Sequence, residues 1–142
     1  MNAIDAAFAR WQPTALSLFR LITGLLLLQY GIAKIFKFPV LPYFANPPTL
    51  IMIAGSLELV LGALLVFGLF TRIAAFILAG EMAFAYFLGH MFKAAIDKGE
   101  APVFLPLLNG GTPAILFCFA CLYLATAGGG PYSLDATMRN KM

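Results

Sequence analysis

The chain contains four long apolar stretches, and their length constrains its fold more than any other feature of the sequence. Crossing the hydrocarbon core of a membrane, about 30 Å thick, takes roughly 20 mostly apolar residues in a helix. Four segments meet or approach that length, at about residues 14–36, 49–70, 71–92 and 113–127. Lipid offers no partner to an unpaired backbone group, and the segments lack the alternation of barrel strands. Each is therefore predicted to be a transmembrane helix.

The composition supports a membrane environment for a single domain covering residues 1–142. The chain is 62% hydrophobic and only 11% charged, which argues against a soluble enzyme, a disulfide scaffold or a disordered chain. Its net charge of +3 comes from scattered Lys and Arg residues, so no nucleic-acid partner is predicted. We predict an all-α membrane protein, a four-transmembrane-helix antiparallel bundle whose main partner is the lipid bilayer.

The segments between the helices predict turns and loops of different kinds. Residues 37–48 hold four prolines, which favours an extended interfacial loop. Gly68 is predicted to end the second helix in a tight hairpin, residues 93–112 to form the longest loop, and Gly128 to end the fourth helix. Four spans would place both termini on one side of the membrane. Basic residues are divided almost evenly between the two ends, so the positive-inside rule gives only a slight preference for cytoplasmic termini.

Three charged side chains interrupt the apolar stretches: Arg20, Glu58 and Glu81. An ionised group at the centre of a bilayer costs at least about 2.5 kcal/mol, so it normally faces a partner inside the bundle. Counted from the terminal side, Arg20 lies at roughly 9 Å, Glu81 at roughly 14 Å and Glu58 at roughly 18 Å, while Lys34 and His90 lie near the opposite face. We therefore expect Arg20 to pair with one carboxylate and the other carboxyl group to remain neutral, as proton transfer would require. The same pair could equally serve only to fix helix packing.

Helical periodicity places small and polar residues on shared faces. The stripe predicted on the first helix consists of Arg20, Gly24, Leu27, Gly31 and Lys34. The stripe predicted on the second helix consists of Gly55, Glu58 and Gly62. Glycines on such stripes predict the close approach of a neighbouring helix. On the third helix, Tyr86 and His90 share a face near the opposite membrane surface, about half a turn out of phase with Glu81.

The cysteine and histidine content argues against metal chemistry. Cys118 and Cys121 have the C-x-x-C spacing of a redox dithiol, but they lie about one turn inside an apolar helix, which favours packing over redox activity. A lone histidine, His90, argues against a haem or metal centre built from one chain, and no metal site is predicted.

Several short motifs occur together in an order that resembles a known family. They are Arg20-Leu21 to Gly24, Gln29 to Phe36, Gly55-Ser56-Leu57-Glu58 with Gly62, Gly68 and Thr71-Arg72, Glu81-Met82-Ala83, Asn109-Gly110-Gly111, and the closing segment from Gly128 to Asp135. With these motifs the chain resembles the DoxX family of small four-helix membrane proteins over nearly its whole length.

The resemblance implies a quinone-linked role in the inner membrane. The family takes its name from a subunit of an archaeal terminal quinol oxidase, and similar proteins are linked to thiosulfate:quinone oxidoreduction and to membrane-associated oxidative-stress complexes. On this basis the expected proton and charge site consists of Arg20, Glu58 and Glu81. The residues expected to line a quinone slot are Gln29, Tyr30, Tyr86 and His90.

Two other functions remain open. Because no flavin, haem or iron–sulfur motif is visible, electrons would have to come from a redox-protein partner, a larger membrane complex or the cysteine pair. The sequence therefore does not decide whether the chain is itself an enzyme. The alternative is a structural or accessory subunit of a larger complex, in which the Arg–Glu pair serves assembly. A third hypothesis, a small transporter or proton pathway, would require a homo-oligomer because four helices leave little room for a pore.

Overall fold

The computed structural model describes residues 2–141, and every regular element in that range is helical. Three of these helices are long and apolar enough to cross a membrane: α1 (Ala3–Phe36), α2 (Thr49–Phe67) and α3 (Thr71–Tyr86), which a π-helical turn at Phe87–Met91 continues. The shorter elements are a 3₁₀ turn at Pro42–Phe44 and the helices α4 (Lys93–Lys98), α5 (Pro106–Asn109), α6 (Thr112–Ala127) and α7 (Leu134–Arg139). The all-helical architecture agrees with the sequence prediction.

The first helix is longer than the apolar pattern predicts. It begins at Ala3 and not near residue 14, because Asn2 and Asp5 form a capping box. The Asp5 backbone N–H donates to Asn2 Oδ1 at 2.8 Å, and the Asn2 N–H donates to Asp5 Oδ2 at 3.3 Å. Hydropathy detects only the part of a helix suited to lipid, so the first turns, which Asp5, Arg10 and Gln12 interrupt, fall outside the predicted span.

The hairpin between α2 and α3 forms where glycine predicts it. Gly68 has a positive φ of 68° and ends α2 at Phe67, slightly before the predicted end near residue 70. The third helix keeps α-helical geometry only to Tyr86, and the π-helical turn carries it to Met91.

Helices α1 and α2 pack closely through their glycines, as the two stripes predict. A Cβ atom on Gly24 would lie 2.7 Å from the backbone N of Val66, and one on Gly31 would lie 2.7 Å from Cα of Leu59. A Cβ on Gly62 would meet the backbone N of Leu28 at 2.9 Å. The earlier glycine of α1 thus meets the later part of α2, and the later glycine meets an earlier part, so the two helices run antiparallel with their backbones in near contact.

Helix α6 packs against α3 and completes the hydrophobic core. The fully buried members of this core are Leu27, Leu65, Ala75, Leu78, Cys121 and Leu124. They come from all four of the longer helices, so α6 shares the core with α1, α2 and α3 although it has only 16 residues.

The connections contain more structure than the loop prediction anticipates. In residues 37–48, the 3₁₀ turn at Pro42–Phe44 buries the Phe44 ring to 8% exposure. Residues 93–112 do not form a plain loop, because α4 and α5 occupy much of this range. Gly128 ends α6, as predicted.

The C-terminal segment folds back onto the α2–α3 hairpin. The Asp135 backbone N–H donates to the carbonyl of Gly68 at 2.9 Å, and the Tyr132 N–H donates to Ser17 Oγ at 3.2 Å. Helix α7, which the sequence analysis does not predict, is held there by its N-cap Ser133, whose Oγ accepts from the Ala136 N–H. This segment therefore joins α1, the hairpin and the end of α6.

Candidate functional site

An ion pair between α1 and α2 is the central feature of the candidate site. Lys34 Nζ donates to Glu58 Oε1 at 2.7 Å, and the two side chains are only 12% and 2% exposed. The pair depends on Gly55, one turn before Glu58, because a Cβ there would lie 2.6 Å from Lys34 Cβ. The glycine stripe thus gives the lysine stem its path along α2.

Two aromatic rings flank the ammonium group of Lys34. Its Nζ lies 5.9 Å from the centroid of the Tyr30 ring and 5.6 Å from that of Phe44. Rings at this distance attract a cation through their quadrupole. Because Phe44 belongs to the 3₁₀ turn, the connection between α1 and α2 covers the ion pair from one side.

The predicted pairing of Arg20 with a carboxylate is wrong. Arg20 Nη1 donates to the carbonyls of Leu65 and Val66 at 2.9 and 3.0 Å, and Nη2 donates to the carbonyl of Tyr132 at 2.8 Å. The physical reason is that α2 ends at the level of Arg20, and the last carbonyls of a helix lack donors within the helix. Depth in the membrane predicts Arg20 near the carboxyl groups, but these carbonyls accept its hydrogen bonds instead.

Lys34 is the candidate site residue whose contact with Glu58 the sequence analysis does not predict. It was placed near the opposite membrane face, yet its flexible stem carries the ammonium group to Glu58. The signal was present, because Lys34 continues the stripe of Gly24 and Gly31 that faces Gly55 and Glu58 across the helix pair.

Glu81 lies close to this pair but does not join it. Both of its carboxyl oxygens are buried and have no hydrogen-bond partner among residues 2–141, and Glu58 Oε2 is in the same state. Glu81 lies within electrostatic range of both Glu58 and Lys34. The structure therefore brings together one paired and one unpaired carboxyl group, although the cation is Lys34 and not Arg20. That one of the two carboxyl groups is neutral remains a prediction.

The four residues predicted to line a quinone slot fall into two separate groups. Gln29 and Tyr30 line a hollow of about 210 Å³ together with Ala33, Pro39, Leu41 and Tyr43. Tyr86 and His90 instead hold the segment before α6: Tyr86 Oη donates to the carbonyl of Phe104 at 3.3 Å, and His90 Nδ1 lies 3.0 Å from the carbonyl oxygen of Asn109. Residues 103–111 fold back onto the end of α3, and this contact occupies both side chains.

The cysteines are free thiols inside the helical core. Cys121 is fully buried and Cys118 is partly buried. Both belong to or pack against the apolar cluster around Leu78 and Leu124, which is the environment of a packing residue. Within residues 2–141 no three His, Cys, Asp or Glu side chains are grouped as metal ligands.

Comparisons with known proteins give a consistent result. The family model described as DoxX matches residues 15–91, which include Lys34, Glu58 and Glu81. A protein of Haemophilus influenzae, described as uncharacterized, is 36% identical over 129 residues, covering 89% of this chain and 92% of the relative. No solved structure matches the chain.

Proposed function

The chain belongs to the DoxX family, and on the geometry of its buried charges we propose that it is a quinone-linked subunit of an inner-membrane redox complex. In this proposal the hollow beside Gln29 and Tyr30 receives the quinone head group. Lys34, Glu58 and Glu81 hold and exchange the protons that quinone reduction consumes.

The proposal rests on the buried carboxyl group of Glu81, which lacks a hydrogen-bond partner among residues 2–141. A carboxyl group with both oxygens buried and no hydrogen-bond partner among residues 2–141 is costly in an apolar interior. A helix-packing role for Lys34 and Glu58 needs no second carboxyl group beside the pair. Intramembrane ionisable residues commonly mark proton relays, and this grouping of a cation with two carboxyl groups fits that chemistry.

The hollow beside Tyr30 suits a ring-shaped head group. Its volume of about 210 Å³ is below the roughly 300–1,000 Å³ of pockets that enclose whole ligands. It would therefore hold a head group and leave an isoprenoid tail in lipid. The lining offers the Gln29 amide for hydrogen bonding and the rings of Tyr30 and Tyr43 for stacking.

The route for protons passes along α1. The Tyr30 ring lines the hollow and lies 5.9 Å from Lys34 Nζ, and Lys34 donates directly to Glu58. A bound quinone accepts two electrons and two protons. Lys34 and Glu58 would supply one of these protons, and Glu81 would replace it from within the bundle so that the pair can supply the second. The electrons would come from a partner redox protein, since the thiol of Cys121 is fully buried.

Quinone bound to the purified protein tests this function. The full chain, extracted in mild detergent from quinone-containing membranes, should carry quinone that solvent extraction and chromatography detect. Gln29→Leu combined with Tyr30→Leu should reduce that amount, while Glu100→Gln, a change at an exposed position, should not. Glu81→Gln should keep the quinone but slow quinol formation in membranes that contain the electron donor. Absence of quinone together with unchanged quinone-dependent activity in Glu58→Gln would remove the proposal.

A structural or accessory role is the second candidate, and the contacts of Arg20 favour it. The three hydrogen bonds that this buried guanidinium forms within residues 2–141 go to backbone carbonyls of α2 and the C-terminal segment, so the side chain supports packing and not chemistry. This candidate predicts copurification with a larger complex and a loss of assembly, with turnover per complex unchanged, when Arg20 is altered.

The membrane arrangement that we propose is a four-helix antiparallel bundle with cytoplasmic termini. Helix α6 is about 24 Å long, shorter than the roughly 30 Å hydrocarbon core, and α5 would extend it to complete a fourth span. Reporter fusions after Lys141 and within residues 99–103 test this topology. Activity typical of the cytoplasm at the first site and of the periplasm at the second is expected.

A further inference from the structure

A second hollow lies at the opposite end of the helices from the 3₁₀ turn, where α3 begins and α6 ends. It has a volume of about 570 Å³, and its walls are the first residues of α3, the glycine segment after α6, and α7. The cations that line it are Arg72 and Arg139, and its one carboxylate is Asp135. We call it the arginine hollow. It does not belong to the candidate site described above.

Arg72 is an exposed residue whose guanidinium contacts the end of α6. Its Nη1 donates to the carbonyl of Ala125 at 3.1 Å and to that of Thr126, both of which lie in the last turn of α6. The guanidinium lies against Gly128, where a Cβ would be 3.3 Å from Nη2. Within residues 2–141 its Nε and Nη2 groups donate no hydrogen bond, so these two donors remain available at the hollow.

Two further groups in the arginine hollow lack protein partners. Thr71 is fully buried, and its Oγ1 has no hydrogen-bond partner among residues 2–141. Over the same residues Arg139 forms no ion pair and donates no side-chain hydrogen bond. Asp135 is already satisfied, because its Oδ1 and Oδ2 accept from the backbone N–H groups of Phe70 and Thr71, each at 2.8 Å. The hollow therefore offers donors and positive charge that the protein itself does not use.

We propose that the arginine hollow binds the phosphate of an anionic phospholipid. Guanidinium groups form strong paired hydrogen bonds with phosphate oxygens. The hollow lies at the ends of apolar helices, the level at which lipid head groups occur. Its walls include Phe70 and Ile73, which are 59% and 66% exposed and offer apolar surface to acyl chains. Two arginines would repel the ammonium group of a zwitterionic lipid, so the charge favours phosphatidylglycerol or a similar anionic head group.

Native mass spectrometry of the full chain in detergent, titrated with phosphatidylglycerol or phosphatidylcholine, tests this proposal. We expect one tightly held phosphatidylglycerol per chain. Arg139→Gln should weaken its binding about tenfold, the effect of losing one hydrogen bond between charged groups. Arg139 is the better target because Arg72 also holds the end of α6, and Arg72→Gln serves as a second variant.

A matched control separates a site from general charge attraction. The double variant Arg10→Gln/Lys141→Gln removes two cations from the terminal regions without altering the lining of the arginine hollow. It should retain the tightly held lipid. Equal binding of phosphatidylcholine, or equal loss of lipid in the control and in Arg139→Gln, would overturn the proposal. Displacement of the lipid by millimolar inorganic phosphate would overturn it as well, because it would show an ion site to which acyl chains contribute nothing.

Discussion

Lys34 Nζ lies 2.7 Å from Glu58 Oε1, and this contact joins the last turn of α1 to the middle of α2 in the apolar interior. The lysine reaches Glu58 along a groove in which Gly55 carries no side chain. The relationship brings a cation, two carboxyl groups and an aromatic hollow into one region.

Removing the lysine should destabilise the protein more than removing both charges. Lys34→Met leaves the Glu58 carboxylate without its cation in an apolar site, which costs about 3 kcal/mol or more. The double variant Lys34→Met/Glu58→Gln leaves no such charge and should recover much of the loss. Unfolding of the detergent-solubilised protein measures both. Lys93→Met is the control, since it breaks an ion pair that is 63% and 50% exposed and should cost less than about 1 kcal/mol. Equal costs for the single and double variants would contradict the contact.

Arg20→Lys should weaken the link between α2 and the C-terminal segment. A lysine donates from a single nitrogen, so it cannot occupy both the Nη1 position beside the Leu65 and Val66 carbonyls and the Nη2 position beside the Tyr132 carbonyl, and we expect a loss of about 3 kcal/mol. A double-mutant cycle of Arg20→Lys with Glu58→Gln should show no coupling, because the two side chains share no contact. Strong coupling would instead support the Arg–Glu pair that the sequence predicts. Arg10→Lys, at an exposed position, is the control.

Asp135→Ala should loosen the hairpin between α2 and α3. The carboxylate accepts from the Phe70 and Thr71 N–H groups at the start of α3, and loss of such a cap costs about 1–2 kcal/mol. Hydrogen–deuterium exchange should become faster in residues 69–72 and 130–137. Asp97→Ala, on an exposed turn, should leave exchange in those segments unchanged. Unaltered exchange in Asp135→Ala would show that the cap contributes nothing.

Replacement by alanine should lower stability at Gly31, which faces a neighbouring helix, and should not lower it at Gly80, which faces open space. Gly31→Ala places a Cβ about where the backbone of Leu59 lies, so it should separate α1 from α2 and cost about 1–3 kcal/mol. Gly80→Ala meets no atom within 4 Å and should be neutral or stabilising by up to about 1 kcal/mol. Thermal unfolding in detergent compares the two. Similar melting temperatures for both variants would contradict the close approach of α1 and α2.

The glycine stripes were the part of the site that periodicity predicted well. Gly24 and Gly31 fall seven residues apart, as do Gly55 and Gly62, and the structure packs these stripes against each other. Charge pairing was predicted less well, because a depth calculated from the rise per residue treats each side chain as lying at the level of its Cα. The long side chain of Lys34 places its ammonium group away from that level. Arg20 donates to backbone carbonyls, which a search for charged side-chain partners does not consider.

The sequence by itself determined that the chain is all-helical and membrane-embedded, because apolar length and low charge leave few other ways to satisfy a backbone in lipid. It also determined where the α2–α3 hairpin turns, since Gly68 takes a positive φ there. Only the tertiary structure decided which charges meet. Partner choice depends on where helices end and how side chains extend across an interface, and both are fixed by packing between segments distant in the sequence.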